Sequence, residues 1–453
     1  ASLTSALAIN NNSTFDNIGN FEMQNTTGIS VSGGLNTFNN TGLFTLSSGA
    51  NTVISAAFNN NGGSIDVQAG GSNLQLNGGG SLAGVTTLID QGINFNAGAF
   101  TLFDGASITG PTTSLVLGGS QATSVQGAFN LDELVLQGGT LTLDTLGGGA
   151  VFTVNNTLTW NGISSINGGG TGTLLIPSLA TATVSGAGSR TLNSVTVDNQ
   201  GSWIADASLT AALAINNTST FDNSGSFEMK NTTGISVSGG VNSFNNTGTL
   251  IASAAGTTSL SPVFSNTAGT VSISSGTVLS LAGASLTLDA GSVLAGSGTF
   301  SGNVINDAGT VEPGGAFVTG ILTIDGDYSQ NLNGTLNIEL NGTNPGTVYD
   351  QLVVNGAAVT ATLGGDLNIS LLGGYTLDTG TTFTFLNVTG GGSVSGNFDN
   401  DTNIPAGFSP NVVSYAGTFI DITSPGAGPV LFIFDGGVGG TGTDWDVAVN
   451  WVG

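Results

Sequence analysis

The sequence predicts an all-β protein, a right-handed parallel β-helix (β-solenoid) of about 20 coils with roughly 20–24 residues per coil. Three observations predict it. A short motif returns at that period, apolar residues fall in brief alternating runs of Val, Ile, Leu and Phe, and charged residues make up only 6% of the chain.

The motif has the form apolar–x–Asn–x–Gly–x–apolar. It reads FDNIGNF from Phe15, FNNTGLF from Phe38, FNNNGGSI from Phe58, VDNQGSW from Val197, FDNSGSF from Phe221 and FNNTGTL from Phe244. Looser versions begin at Phe264 and Ile305. This period is the size of one solenoid coil, and stacking the coils aligns Phe15, Phe38, Phe58, Phe221, Phe244 and Phe264 as core residues. The polar positions are expected at coil corners, where both residue types tolerate φ > 0 and Asn can stack in hydrogen-bonded ladders. These are Asn17 with Gly19, Asn40 with Gly42, Asn199 with Gly201, Asn223 with Gly225, and Asn246 with Gly248.

Strand candidates follow in chain order: ISVSG from Ile29, SLVLGG from Ser114, LVLQGGTLTL from Leu134, VFTVNNTLTW from Val151, and several faces from Thr277 onward. Glycine and β-branched residues interrupt every helical window. Trp160 and Trp203 read as core fillers.

A longer repeat overlies the short one. The 42 residues from Ala1 match those from Ala207 at 35 positions. A copy this close implies a duplicated module of about nine coils. The expected organisation is a first solenoid module at 1–206, a partial duplicate at 207–308, a distinct C-terminal β-helix at 309–425, and a tail at 426–453 that opens a further module or contacts another subunit. Ala1 enters in mid-repeat, so a removed leader or a longer parent protein is expected.

Composition excludes several classes. The formal charge is −25, and Arg190 and Lys230 are the sole cations, so nothing neutralises nucleic-acid phosphate or an anionic membrane. No apolar run reaches 18 residues, so no membrane insertion is expected. Histidine and cysteine are absent, which removes His-based triads, thiolate nucleophiles and the common zinc ligands. Two carboxylates suffice for glycoside hydrolysis, and Asp325/Asp327 and Asp444/Asp446 are close enough in sequence to share a strand face. Solvated corner carboxylates are the plainer reading, and no enzyme activity is expected. Glu22 and Glu228, equivalent in the duplication, read as outward-facing. Asp399, Asp401 and Asn403 have D-x-D-x-N spacing that can gather oxygens around Ca²⁺. Ile404 and Pro410 replace the Gly and Glu of an EF-hand loop, and a turn-stabilising cluster is the alternative. No other cofactor is expected.

From Gly309 onward the elements GTVEPGG, LTIDGDYSQ, LNIEL, YDQLVV and GGYTLDTGTTFTFL resemble the autotransporter passenger family, most clearly over 309–388. The upstream coils are similar in style only. The resemblance implies a β-helix exported to a bacterial cell surface. The translocating barrel that usually follows is not in this sequence. The segment holding Trp445 and Trp451 instead resembles the opening of repeat modules in giant secreted adhesins. VLFIF at 430–434 reads as an ordinary core strand, with a donated strand as the alternative. The expected function is a structural fibre that stacks with itself head to tail into a surface filament, sheath or matrix. The alternative is a monomeric adhesin or a β-helix that binds or cleaves surface glycans.

Overall fold

The computed structural model describes residues 5–424 except 25, 69–73, 89–91, 111–113, 145–147, 379, 406–412 and 416, together with the backbone of 433–434 and 451–452. Among the described residues every regular element is a strand. The chain is a parallel β-solenoid in which each coil contributes one strand to each of three ladders.

The first ladder runs from Leu7–Asn10 through Ile29–Ser32, Ser114–Leu117, Thr181–Val184 and Ser202–Ala205 to Ser226–Met229, and ends at Asn400–Asn403. The second starts at Thr14–Asn17 and passes through Thr37–Asn40, Ala122–Gln126 and Leu213–Asn216. The third starts at Asn20–Met23 and passes through Leu43–Leu46 to Thr220–Asn223 and Ser243–Asn246. The first ladder crosses both expected module boundaries without interruption. The others break inside the second module. Ile235 reaches the next coil on the second ladder only through an isolated bridge to Leu260, and no regular pairing joins Val263–Asn266 to Leu286–Leu288 on the third.

Alternation builds the core. Strands such as Leu43–Leu46 and Ser226–Met229 bury every second residue, because successive strand side chains point to opposite faces. Stacked coils then place like on like. Phe15 lies on Phe38 at 5.0 Å and Phe38 on Phe58 at 5.4 Å between ring centroids. Phe221 lies on Phe244 at 5.0 Å, and Phe244 lies on Phe264 at 6.0 Å. Trp160 and Trp203 are fully buried fillers.

The coil count is below the expected twenty, and the rod is correspondingly shorter. The step between stacked partners is 23 residues at Asn17 and Asn40 and 20 at Asn40 and Asn60. It grows to 34 at Gly365 and Asp399, because excursions between strands lengthen the C-terminal coils. Ile433–Phe434 within VLFIF pairs with Trp451–Val452 in a separate two-stranded sheet, so this segment is not a rung of the solenoid. Near the C-terminal end, Thr382–Thr389 pairs antiparallel with Phe419–Thr423, which pairs in turn with Val413–Tyr415. That arrangement closes the top of the second ladder.

Candidate functional site

The motif asparagines sit inside the solenoid. Asn17 and Asn40 end second-ladder strands and Asn60 is next to last in Ala57–Asn61; all three point inward, where Asn40 is 0% exposed. Asn17 Nδ2 donates to Asn40 Oδ1 (2.7 Å), Asn40 to Asn60 Oδ1 (2.6 Å), and Asn60 to Thr86 Oγ1 (2.8 Å). A second column joins Asn199, Asn223, Asn246 and Asn266 at 2.7, 2.7 and 2.6 Å. Along each column the amides pair with one another in the buried interior, where an unpaired group costs about 1–3 kcal/mol; Asn199 Oδ1, at the lower end of the second column, has no partner.

The corner expectation is therefore half right: the ladders form, but not through φ > 0. None of these Asn residues, nor Gly19, Gly42, Gly201, Gly225 or Gly248, has positive φ. Gly42, Gly201, Gly225 and Gly248 are required by close stacking, whereas a Cβ on Gly19 would meet nothing. A Cβ on Gly42 would lie 2.0 Å from Gly19 O, and one on Gly225 would lie 2.0 Å from Gly201 O. The positive-φ corners are elsewhere, at Asn11, Asn12, Asn217 and Thr218.

The first described coil is less buried than the next. Leu7, Phe15 and Phe21 are only half-buried, whereas Phe38 and Phe44 one coil above are fully buried. The strands Leu7–Asn10, Thr14–Asn17 and Asn20–Met23 pair upward with Ile29–Ser32, Thr37–Asn40 and Leu43–Leu46.

The other sequence candidates resolve as follows. Asp399 Oδ2 accepts the Gly365 N–H at 2.6 Å, a bond to the coil below. The side chains of Asp401 and Asn403 lie outside the described residues, as do Asp444 and Asp446. Asp325 and Asp327 do not share a strand. Asp325 ends Ile321–Asp325 and accepts from Asn355 Nδ2 (2.7 Å), while Asp327 lies past the corner and accepts from Thr360 N (2.8 Å). Glu22 and Glu228 point outward and accept Ser47 Oγ (2.6 Å) and Ser253 Oγ (2.7 Å). Hydrogen bonds from Ser47 and Gln24 hold the Glu22 carboxyl below its ordinary pKa. Lys230 pairs with Glu228 at 3.2 Å. Arg190 is fully buried, and its guanidinium donates to the carbonyls of Ser185, Gly186, Ala187 and Gly188. Burial lowers its pKa.

One cluster escaped the sequence reading. Asp350 is buried, and its oxygens accept the Gly320 and Glu339 N–H groups at 2.8 Å each. Burial pushes its carboxyl up to about 8, against those two bonds and with help from the charges of Glu339 and Glu312. Burial also raises Glu339, which borders a cleft of about 510 Å³ with Asn337 and Asn368. Leu352 and Val354 point inward on the strand Gln351–Asn355, so alternation traced back two residues places Asp350 inside. A second cleft, about 460 Å³, follows an outward polar row. There Asn39 donates to Asp16 (2.7 Å) and Asn59 to Asn39 (3.0 Å), beside the partly exposed Phe103.

These features define a β-solenoid with internal amide ladders. No protein-family model matches the chain, and no curated protein matches it.

Proposed function

We propose that this chain is an extracellular bacterial structural protein, a passenger-like rod that extends by coil-on-coil stacking into a surface filament, sheath or matrix. The observation that carries the reading is the first ladder, a stack of parallel strand edges that runs unbroken from Leu7–Asn10 to Asn400–Asn403. Parallel edges of this kind add strands through main-chain hydrogen bonds. The low charge favours stacking, since like charges aligned about every 4.8 Å would repel.

Electron microscopy of the purified protein tests this. Long rods of uniform width support it. Short isolated rods at high concentration overturn it and favour a monomeric adhesin or glycan-binding β-helix, for which glycan binding at the Asp16–Asn39–Asn59 row is the next measurement.

A further inference from the structure

The two clefts follow outward rows of one kind. In the first, Ser81 Oγ donates to Asn59 Oδ1 (3.0 Å), Asn59 Nδ2 to Asn39 Oδ1 (3.0 Å), and Asn39 Nδ2 to Asp16 Oδ1 (2.7 Å). In the second, Asn368 Nδ2 donates to Asn337 Oδ1 (3.1 Å), and Asn337 Nδ2 to Glu312 Oε1 (2.7 Å). A carboxylate followed by asparagines on the next two coils thus recurs on two faces of the rod, the second ladder and the first. Rows with a single asparagine continue differently. Asp222 and Asn245 are followed by Ser265, and Asp325 and Asn355 by Thr389.

An asparagine amide has two N–H groups and two lone pairs, and Asn39, Asn59 and Asn337 each commit one of either to the row. A donor and an acceptor per coil are left for the cleft, repeating about every 4.8 Å. Apolar surface lies beside them: Phe103, 40% exposed, at the first cleft, and Ile404 with Pro405 at the second. The hydroxyls and C–H faces of a sugar chain suit such a wall. A peptide does not, because the main-chain groups of these strands are already paired from coil to coil. An acidic chain meets a carboxylate at the head of each row and no cation along either cleft. Among the described residues no group of three acidic side chains is placed to hold a metal ion.

We propose that the two clefts are binding sites for a neutral oligosaccharide, each reading the sugar through its carboxylate–asparagine–asparagine row. The first extends over five coils from Asp16 to Phe103, about 19 Å, and the second over three coils from Asn337 to Ile404, about 10 Å. Sugar binding here does not depend on stacking of the rod, because both rows lie on lateral faces, and Asn39, Asn59, Asn337 and Asn368 all sit between paired coils.

The test is isothermal titration of the full chain with four neutral hexasaccharides (cellohexaose, laminarihexaose, chitohexaose and mannohexaose), with hexagalacturonate as the acidic control. At least one neutral hexamer is expected to bind at two sites with a Kd of about 1 mM or tighter, and hexagalacturonate about tenfold more weakly or worse. Asn59→Ser and Asn368→Ser introduce the hydroxyl that the chain itself carries after Asn245, at Ser265, and are expected to keep the fold, which a circular dichroism melt checks. Asn59→Ser is expected to remove the first site, Asn368→Ser the second, and the double variant both. No heat from any neutral hexamer at about 10 mM, binding that survives the double variant, or equal binding of hexagalacturonate overturns the proposal. Short isolated rods that still bind at both sites support it and remove the fibre reading alone.

Discussion

Asn223 sits in mid-column, accepting from Asn199 and donating to Asn246 Oδ1 (2.7 Å) and Thr249 O (3.1 Å). Asn223→Leu leaves Asn246 Oδ1 without its donor and strips Asn199 of one acceptor, both in a buried column. At about 1–3 kcal/mol for each orphaned group, the expected loss is about 2–5 kcal/mol. Replacing Asn199, Asn223, Asn246 and Asn266 together by Leu removes both members of every amide pair, an exchange that can be nearly neutral. The chain itself makes this exchange: Ile176 stands beneath Asn199, and Leu82 stands above Asn60. The fourfold variant is therefore expected to lose clearly less than the four single variants summed. Guanidinium unfolding followed by circular dichroism gives the totals, and hydrogen exchange localises them, because a repeat stack need not unfold in one step. A fourfold loss equal to or above the sum would refute the account of the column as mutual satisfaction.

Three further outcomes are expected. Asp350 keeps its proton up to about pH 8 when folded but releases it near its ordinary 3.8 when unfolded, so stability falls as pH rises through that window. Melting at pH 5 and pH 9 checks the slope, and Asp350→Asn is expected to flatten it. Gly225→Ala drives a Cβ to 2.0 Å from a backbone oxygen and is expected to cost about 1–3 kcal/mol or more, whereas Gly276→Ala, with open space at φ +77°, costs about 1 kcal/mol; paired melting curves decide. Arg190→Lys, which cannot span four carbonyls with a planar fork, is expected to lower the melting temperature, and a neutral result would show that the cage contributes nothing.

The fold was legible because its period is written in like residues. Phe15, Phe38 and Phe58 recur at coil spacing, and the same side chains stack. The amide ladders were legible for the same reason. Their position was not, because a motif shows that Asn and Gly recur together but not which way the strand-ending Asn turns. Asn40 turns inward, and Gly42 is held by the Gly19 carbonyl beneath it rather than by φ. Asp350 was missed because its burial depends on a partner one coil below, Gly320, and on Glu339 eleven residues back. Asp325 and Asp327 do not share a strand face because a corner falls between them, which the sequence spacing alone does not show.

The two interrupted ladders have a mechanical consequence. Their breaks fall at successive levels, above Ile235–Ser238 and above Val263–Asn266, while the first ladder continues through Thr249–Ala252 and Thr270–Ile273. A rod loaded from the side bends where its cross-links are fewest. Side loading is therefore expected to bend this rod at that step, with the continuous first ladder as the spine of the bend and the Asn246–Asn266 bond crossing its first break.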